Sequence, residues 1–170
     1  RWRADGFLSQ PRPLPQTEWP GPSAAPRSNL ALYMEQGMGD AVMYSWYLPW
    51  VAADARSLAV ECDSRLMPIF RRSFPNIIFV PREEPLNAIL SAPEIDHQSA
   101  IASVPEFYAT ALSDVIREQQ ASPEVWGRRH RPRLAVNPRR LAYWREYLNA
   151  TFADRPRFGV VWRSALRDHK

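Results

Sequence analysis

Apolar residues in this chain follow two spacings. Short unbroken runs of strand length occur at Leu30–Met34, Ser57–Glu61, Asn76–Val80 and Arg157–Trp162. Between them lie stretches in which apolar residues return every three to four positions, the period of a helix. In Asp40–Ala53 the returning pairs are Val42/Met43, Trp46/Tyr47 and Trp50/Val51. Pro49 lacks the N–H that would bond one turn back, so this helix should break near Ser45. A second helix runs from a cap at Ser64 to about Ser73. A third begins with Pro105 in its first turn and reaches about Glu118. A fourth, Arg139–Phe152, puts Leu141, Trp144 or Arg145, Leu148 and Phe152 on one side. Ile95–Ile101 is ambiguous and short enough for a strand. Arg82–Glu94 reads as a loop with one helical turn, and Ala121–Pro138 as irregular and basic. Strands alternating with helices predict an α/β fold, a parallel sheet covered on both faces. Leu30–Met34, Ser57–Glu61 and Asn76–Val80 should be parallel neighbours in it, with Phe158–Val161 outside.

The first turn of that sheet carries the candidate chemistry. Leu30–Met34 leads through Glu35-Gln36-Gly37-Met38-Gly39 into Asp40, where the helix should start. Glycines permit backbone angles closed to other residues, and Asp is a favoured N-cap. A turn at the carboxyl end of a strand is where open α/β sheets bind ligands. Three readings of it stand side by side. In the first, Asp40 only caps the helix. In the second the turn binds a dinucleotide, with Glu61 about 20 residues on as the ribose-binding acid. That reading needs a third glycine where Val42 stands, and Asp40 sets a carboxylate where pyrophosphate should sit. In the third, Asp40 is a general base for an attacking hydroxyl, its ionised form favoured by the helix N-terminus.

Composition removes other classes. The chain has 170 residues, 45% hydrophobic and 24% charged, enough for one globular domain. Its net charge of +4 rests on arginine, since Lys170 is the only lysine. No aromatics interleave with Arg128, Arg129, Arg131 and Arg133 as nucleic-acid stacking would require, so a solvated loop is the expectation there and no nucleic-acid partner is expected. No apolar run approaches the ~20 residues of a membrane span. Cys62 is the one cysteine, expected as a buried strand residue, and the three histidines lack metal-ligand spacing. Residues 1–29 are rich in proline and read as a linker, draped on the domain by Trp2, Phe7 and Trp19. The sequence opens on Arg and ends without a stop pattern, so a piece of a longer, cytoplasmic chain is expected.

Glu35-Gln-Gly-Met-Gly-Asp-Ala-Val-Met-Tyr-Ser-Trp-Tyr-Leu-Pro49 resembles the E-Q-G-x-G-D…R-Y-x-P motif of bacterial glycosyltransferase-like domains that follow tetratricopeptide repeats. These are similar to the lipopolysaccharide heptosyltransferases, built from two Rossmann-like halves in the GT-B arrangement. The stretches Arg1–Phe7 and Pro13–Gly21, Val60-Glu61…Leu66–Phe70, Ile95–His97…Ser103–Pro105 and Phe158–Ser164 extend the resemblance. Trp46 departs from it, standing where the family often has arginine. The resemblance implies a linker after a repeat region (1–29), a Rossmann-like acceptor-side domain (30–155) and the first strand of a nucleotide-sugar domain (156–170). It implies an inverting transfer from a nucleotide-sugar to a glycan, lipid or protein acceptor, with Asp40 as base and no metal or other cofactor. Gln36, Gly37 and Gly39 would form the acceptor-side turn, and upstream repeats would hold protein partners. Arg163 and Ser164 would reach the leaving phosphates, or simply form a solvated loop. Asp96, His97 and Ser103 could line the acceptor cleft; Asp96 beside His97 also reads as a structural pair. Trp46, Trp50, Trp144 and Trp162 could stack on sugars, though core packing fits their spacing better. A non-catalytic scaffold on the same fold, and an NAD-dependent oxidoreductase, are the alternatives.

Overall fold

The computed structural model describes residues 12–35, 37–122 and 134–153. They fall in two compact units, Arg1–Ala135 and Val136–Lys170. The first unit holds five strands: β1 (Thr17–Glu18), β2 (Asn29–Tyr33), β3 (Ser57–Cys62), β4 (Ile78–Pro81) and β5 (His97–Ala100). All pair parallel, in the order β1-β5-β2-β3-β4. The three predicted strands lie in one sheet, with β3 between β2 and β4. The fold is α/β and Rossmann-like. Sequence 157–162, with its predicted strand, lies outside the described residues, as does most of 121–138.

The strand pleat sorts side chains to two unequal faces. Leu30, Leu32, Leu58, Val60, Cys62 and Phe79 point to the larger one. There α1 (Met38–Tyr44), a 3₁₀ turn at Ser45–Tyr47, α2 (Leu48–Asp54) and α3 (Met67–Ser73) cover them. Leu30, Leu32, Leu48, Phe70, Ile101 and Val104 are fully buried, and each such side chain contributes about 1.5–3 kcal/mol. The thiol of Cys62 is buried here as well, and burial pushes its pKa up to about 12. The opposite face is made of smaller residues, Ala31, Ala59 and Val80, under Leu90, Leu14, Leu86 and Ile95. Topology explains the division. The connections β2–β3 and β3–β4 run one way along the sheet. The connection β4–β5 runs back, and right-handed crossovers then require it on the other face. Residues 82–96 make that crossing with one 3₁₀ turn, Ala88–Ser91, in place of a helix.

Several expectations change. The helix after β2 does break where Pro49 requires: the 3₁₀ turn starts at Ser45, whose carbonyl has no proline N–H to accept. It begins earlier than predicted, however, with Gly37 as N-cap and Asp40 inside the first turn. Ser64 caps nothing; the N-cap of α3 is Leu66, and Asp63 Oδ1 instead accepts from Arg65 N at 2.9 Å. Pro105 lies inside a 3₁₀ segment, Ile101–Tyr108, that leads into α4 (Ala109–Ala121). The proline-rich stretch is, from Arg12 onward, part of the domain. It supplies the edge strand β1 and buries Trp19 against Phe107 at 5.1 Å between ring centroids. Gly21 has φ +97°, and an added Cβ there would sit 2.5 Å from the Phe107 ring. Trp46 and Trp50 pack against the core, as spacing suggested. In the second unit, α5 (Pro138–Phe152) buries none of its residues, and Trp144 is exposed rather than packed.

Candidate functional site

In the sheet order the sense of connection reverses between β2 and β5, and the carboxyl ends of that pair form the crevice where α/β sheets bind ligands. From β2 this crevice receives Glu35, Gly37, Gly39 and Asp40. From β5 it receives the segment beginning at Ile101, which packs against α1. Gln36 lies outside the described residues, and so do Arg163 and Ser164.

Asp40 is the third residue of α1, partly exposed, in the positive field of the helix start. The N-cap receives no side-chain hydrogen bond, so Asp40 does not cap α1. Among the described residues no hydrogen bond or ion pair engages its carboxylate. Tyr44 stands four residues on, hence on the same side of the helix. Burial raises the Tyr44 pKa, and the charges of Asp40 and Glu35 raise it further. The phenol therefore keeps its proton at neutral pH. Glu35, at the end of β2, is nine-tenths buried. Sequence reading missed Tyr44 and Glu35, although the four-residue spacing from Asp40 to Tyr44 was available.

The two glycines do not act as expected. Gly37 is extended, with φ −66° and ψ 169°, and Gly39 is helical. Neither has positive φ. A Cβ on Gly39 would meet nothing within 4 Å, and one on Gly37 would only touch Asp40 Oδ2 at 3.5 Å. Backbone strain and internal packing thus explain neither glycine, which leaves an open surface beside Asp40. On the flank of α1, Val42, Met43, Trp46 and Leu112 border a mostly apolar cavity of about 550 Å³.

Glu61 is not available to a ribose. It is fully buried at the end of β3, and Arg12 closes over it. Arg12 Nε donates to its two carboxylate oxygens at 3.0 and 2.9 Å, and Nη2 donates to Oε1 at 2.5 Å. The same guanidinium donates to Glu83 O at 2.8 Å and to the Glu84 carboxylate. Hydrogen bonding to Glu61 raises the Arg12 pKa against the effect of burial, so the arginine stays charged. Arg82 closes the same end of the sheet, with Nη1 donating to Met34 O at 2.7 Å.

Asp96 and His97 stand at the amino end of β5, not in the crevice. Asp96 Oδ2 accepts from Asn29 N at 2.7 Å, and His97 Nδ1 lies 3.1 Å from Thr17 Oγ1. With Leu30 beside His97 in register, the length of β2 separates them from the crevice, roughly 16 Å at 3.3 Å per residue. Ser103 does follow the carboxyl end of β5. Among the described residues no group of three or more His, Cys, Asp or Glu side chains is arranged to hold a metal ion. None of the described helices is long and apolar enough to cross a membrane.

The geometry therefore defines a Rossmann-like domain with an acidic crevice at its switch point. Protein FlbA of Caulobacter vibrioides is 27% identical over 159 residues, an alignment covering 89% of this chain and 25% of that protein. The chain thus spans about a quarter of the length of this relative. No protein-family profile matches the chain, and no solved structure does.

Proposed function

We propose that this chain is the acceptor-side half of an inverting glycosyltransferase that uses a nucleotide-sugar donor, with Asp40 as the general base. One observation carries the reading: Asp40 stands at the switch-point crevice, and among the described residues no hydrogen bond or ion pair holds its carboxylate. Asp40 takes the proton of the acceptor hydroxyl as its oxygen attacks the anomeric carbon. The nucleoside diphosphate leaves from the opposite face, which inverts that centre. The protonated phenol of Tyr44 serves as a donor that orients the acceptor. Gly37 and Gly39 fit a backbone that a substrate approaches closely, the use of glycine that remains once strain and packing are set aside. The resemblance of Glu35–Pro49 to repeat-associated glycosyltransferases supplies the reaction class. The dinucleotide reading is disfavoured, because Arg12 holds the acid that a ribose would need.

Asp40→Asn in the full-length protein tests the proposal. The rate should fall roughly 100- to 10,000-fold, the range for loss of a positioned base. Donor affinity should hardly change. Stability should fall by no more than about 1 kcal/mol, the weight of a carboxylate near a helix start. Steady-state kinetics on the folded variant decide: turnover near wild type would remove Asp40 from the mechanism and favour a scaffold role.

A further inference from the structure

At the carboxyl end of the sheet, the last bonds joining β2, β3 and β4 are not all backbone bonds. Met34 N donates to Glu61 O at 3.1 Å, and Arg82 N donates to Cys62 O at 2.8 Å. β3 then turns away at Asp63, whose carbonyl accepts from Leu66 N at 2.9 Å. Met34 is buried, and a buried carbonyl needs a partner. The Met34 carbonyl finds one two strands away: the half-buried Arg82 donates to it through Nη1 at 2.7 Å. Arg82 thus reaches from β4 across the end of β3 to β2, a separation of roughly 10 Å between strand axes. The residues that follow it are held in turn. Arg12 Nη2 donates to Glu83 O at 2.8 Å, and Arg12 Nη1 pairs with the Glu84 carboxylate.

We propose that Arg82 is a positioning residue of the crevice: by holding the Met34 carbonyl, it fixes the direction in which the chain leaves β2 for Glu35 and the start of α1. The physical reason is the planarity of the peptide unit. Met34 O, Glu35 N and Glu35 Cα share one plane, so a donor that pins the oxygen also orients the backbone of Glu35. Between the buried Met34 and the buried Ala41, Gly37 and Gly39 offer no side chain to pack, so the bond at Met34 O is a constraint that packing there does not duplicate. Arg71 makes the contrast. Its Nη2 donates to Phe79 O at 2.9 Å, inside β4, and ties α3 to the sheet away from the turn. The chemical use of the placed turn rests on the reading of Asp40 given above, whereas its placement by Arg82 does not.

Glycine amides of the 170-residue chain report on this directly. The chain has six glycines, so isotopic labelling of glycine nitrogen gives a simple NMR spectrum. Gly37→Ala and Gly39→Ala, whose added Cβ atoms find room, assign the two peaks of the turn. Arg82→Met removes the donors and keeps an apolar stem. It should move or broaden the Gly37 and Gly39 peaks and leave the other glycine peaks in place. Arg82→Gln, too short to span β3, should affect the same two peaks, so the result does not hang on one variant. Arg82→Lys, which returns a donor on a stem of similar reach, should bring both peaks back towards wild type. Arg71→Met, which removes a side chain-to-backbone bond of the same kind, should leave them unmoved. Unmoved Gly37 and Gly39 peaks in Arg82→Met would overturn the proposal. So would equal displacement by Arg71→Met, or no recovery in Arg82→Lys. Collapse of the whole spectrum in both Arg82→Met and Arg82→Gln would make Arg82 a general support of the fold and overturn it too. Normal turnover of Asp40→Asn, with the Arg82 effects intact, would remove the base and leave Arg82 as the residue that sets the turn.

Discussion

Glu61 shows how far a single residue could be read in advance. Its place at a strand end was legible, and an acid there invites a ligand. Its actual partner, Arg12, is 49 positions away in a stretch whose prolines suggested a linker. No local pattern encodes such a pair, because the sheet and the 82–96 crossing must form before the two side chains meet. Asp40 differs: spacing from β2 put it at the crevice, and only its role as a cap was misread, since α1 starts at Gly37. The Arg12–Glu61 pair makes a quantitative prediction. With side chains 7% and 0% exposed, removal of Glu61 leaves the buried Arg12 guanidinium with only the exposed Glu84 carboxylate as counter-charge. Glu61→Gln should therefore cost about 3–5 kcal/mol, read as a lower urea midpoint. An Arg12→Met/Glu61→Leu double variant should recover most of that loss, because apolar replacement of both partners removes the desolvation penalty. A loss below about 1 kcal/mol for Glu61→Gln would show the pair to be open to solvent.

At the scale of elements, the legible features were those with a local cause. Unbroken apolar runs marked β2, β3 and β4, and Pro49 marked the break at Ser45. β5 was ambiguous because its sequence, His-Gln-Ser-Ala, has neither strand alternation nor an apolar run. Its strand form comes from its neighbours β1 and β2. The edge strand β1 was hidden by its two-residue length and its prolines, which an edge tolerates. Gly21 fixes how the chain turns from β1 back over the core. Any side chain there meets both an unfavourable φ of +97° and the Phe107 ring. Gly21→Ala should destabilise by at least about 2 kcal/mol, from left-handed backbone strain together with overpacking. Thermal unfolding of the variant gives the value. Phe107→Ala in the Gly21→Ala background should relieve the packing part alone. A near-neutral Gly21→Ala would mean that the 19–28 connection is free to move away from Phe107.

For the molecule as a whole, the distribution of charge around the crevice bears on which ligand this domain can hold. The crevice itself presents the carboxylates of Glu35 and Asp40. Two described cations at this end of the sheet are engaged: Arg12 on Glu61 and Glu84, and Arg82 through Nη1 on the Met34 carbonyl. Gly37 and Gly39 open the helix start, but the carboxylate of Asp40 stands in its first turn and repels an anion from the backbone N–H groups. A diphosphate therefore has no cationic clamp among the described residues of the crevice, while a neutral hydroxyl ligand would meet a carboxylate and a phenol. Calorimetric titration of this chain with nucleotide-sugars should accordingly show nothing tighter than roughly millimolar, about 4 kcal/mol of binding. Micromolar binding to the 170-residue chain would place the donor in this crevice. Asp40 would then face the leaving group rather than the acceptor, and the acceptor-side assignment would fail.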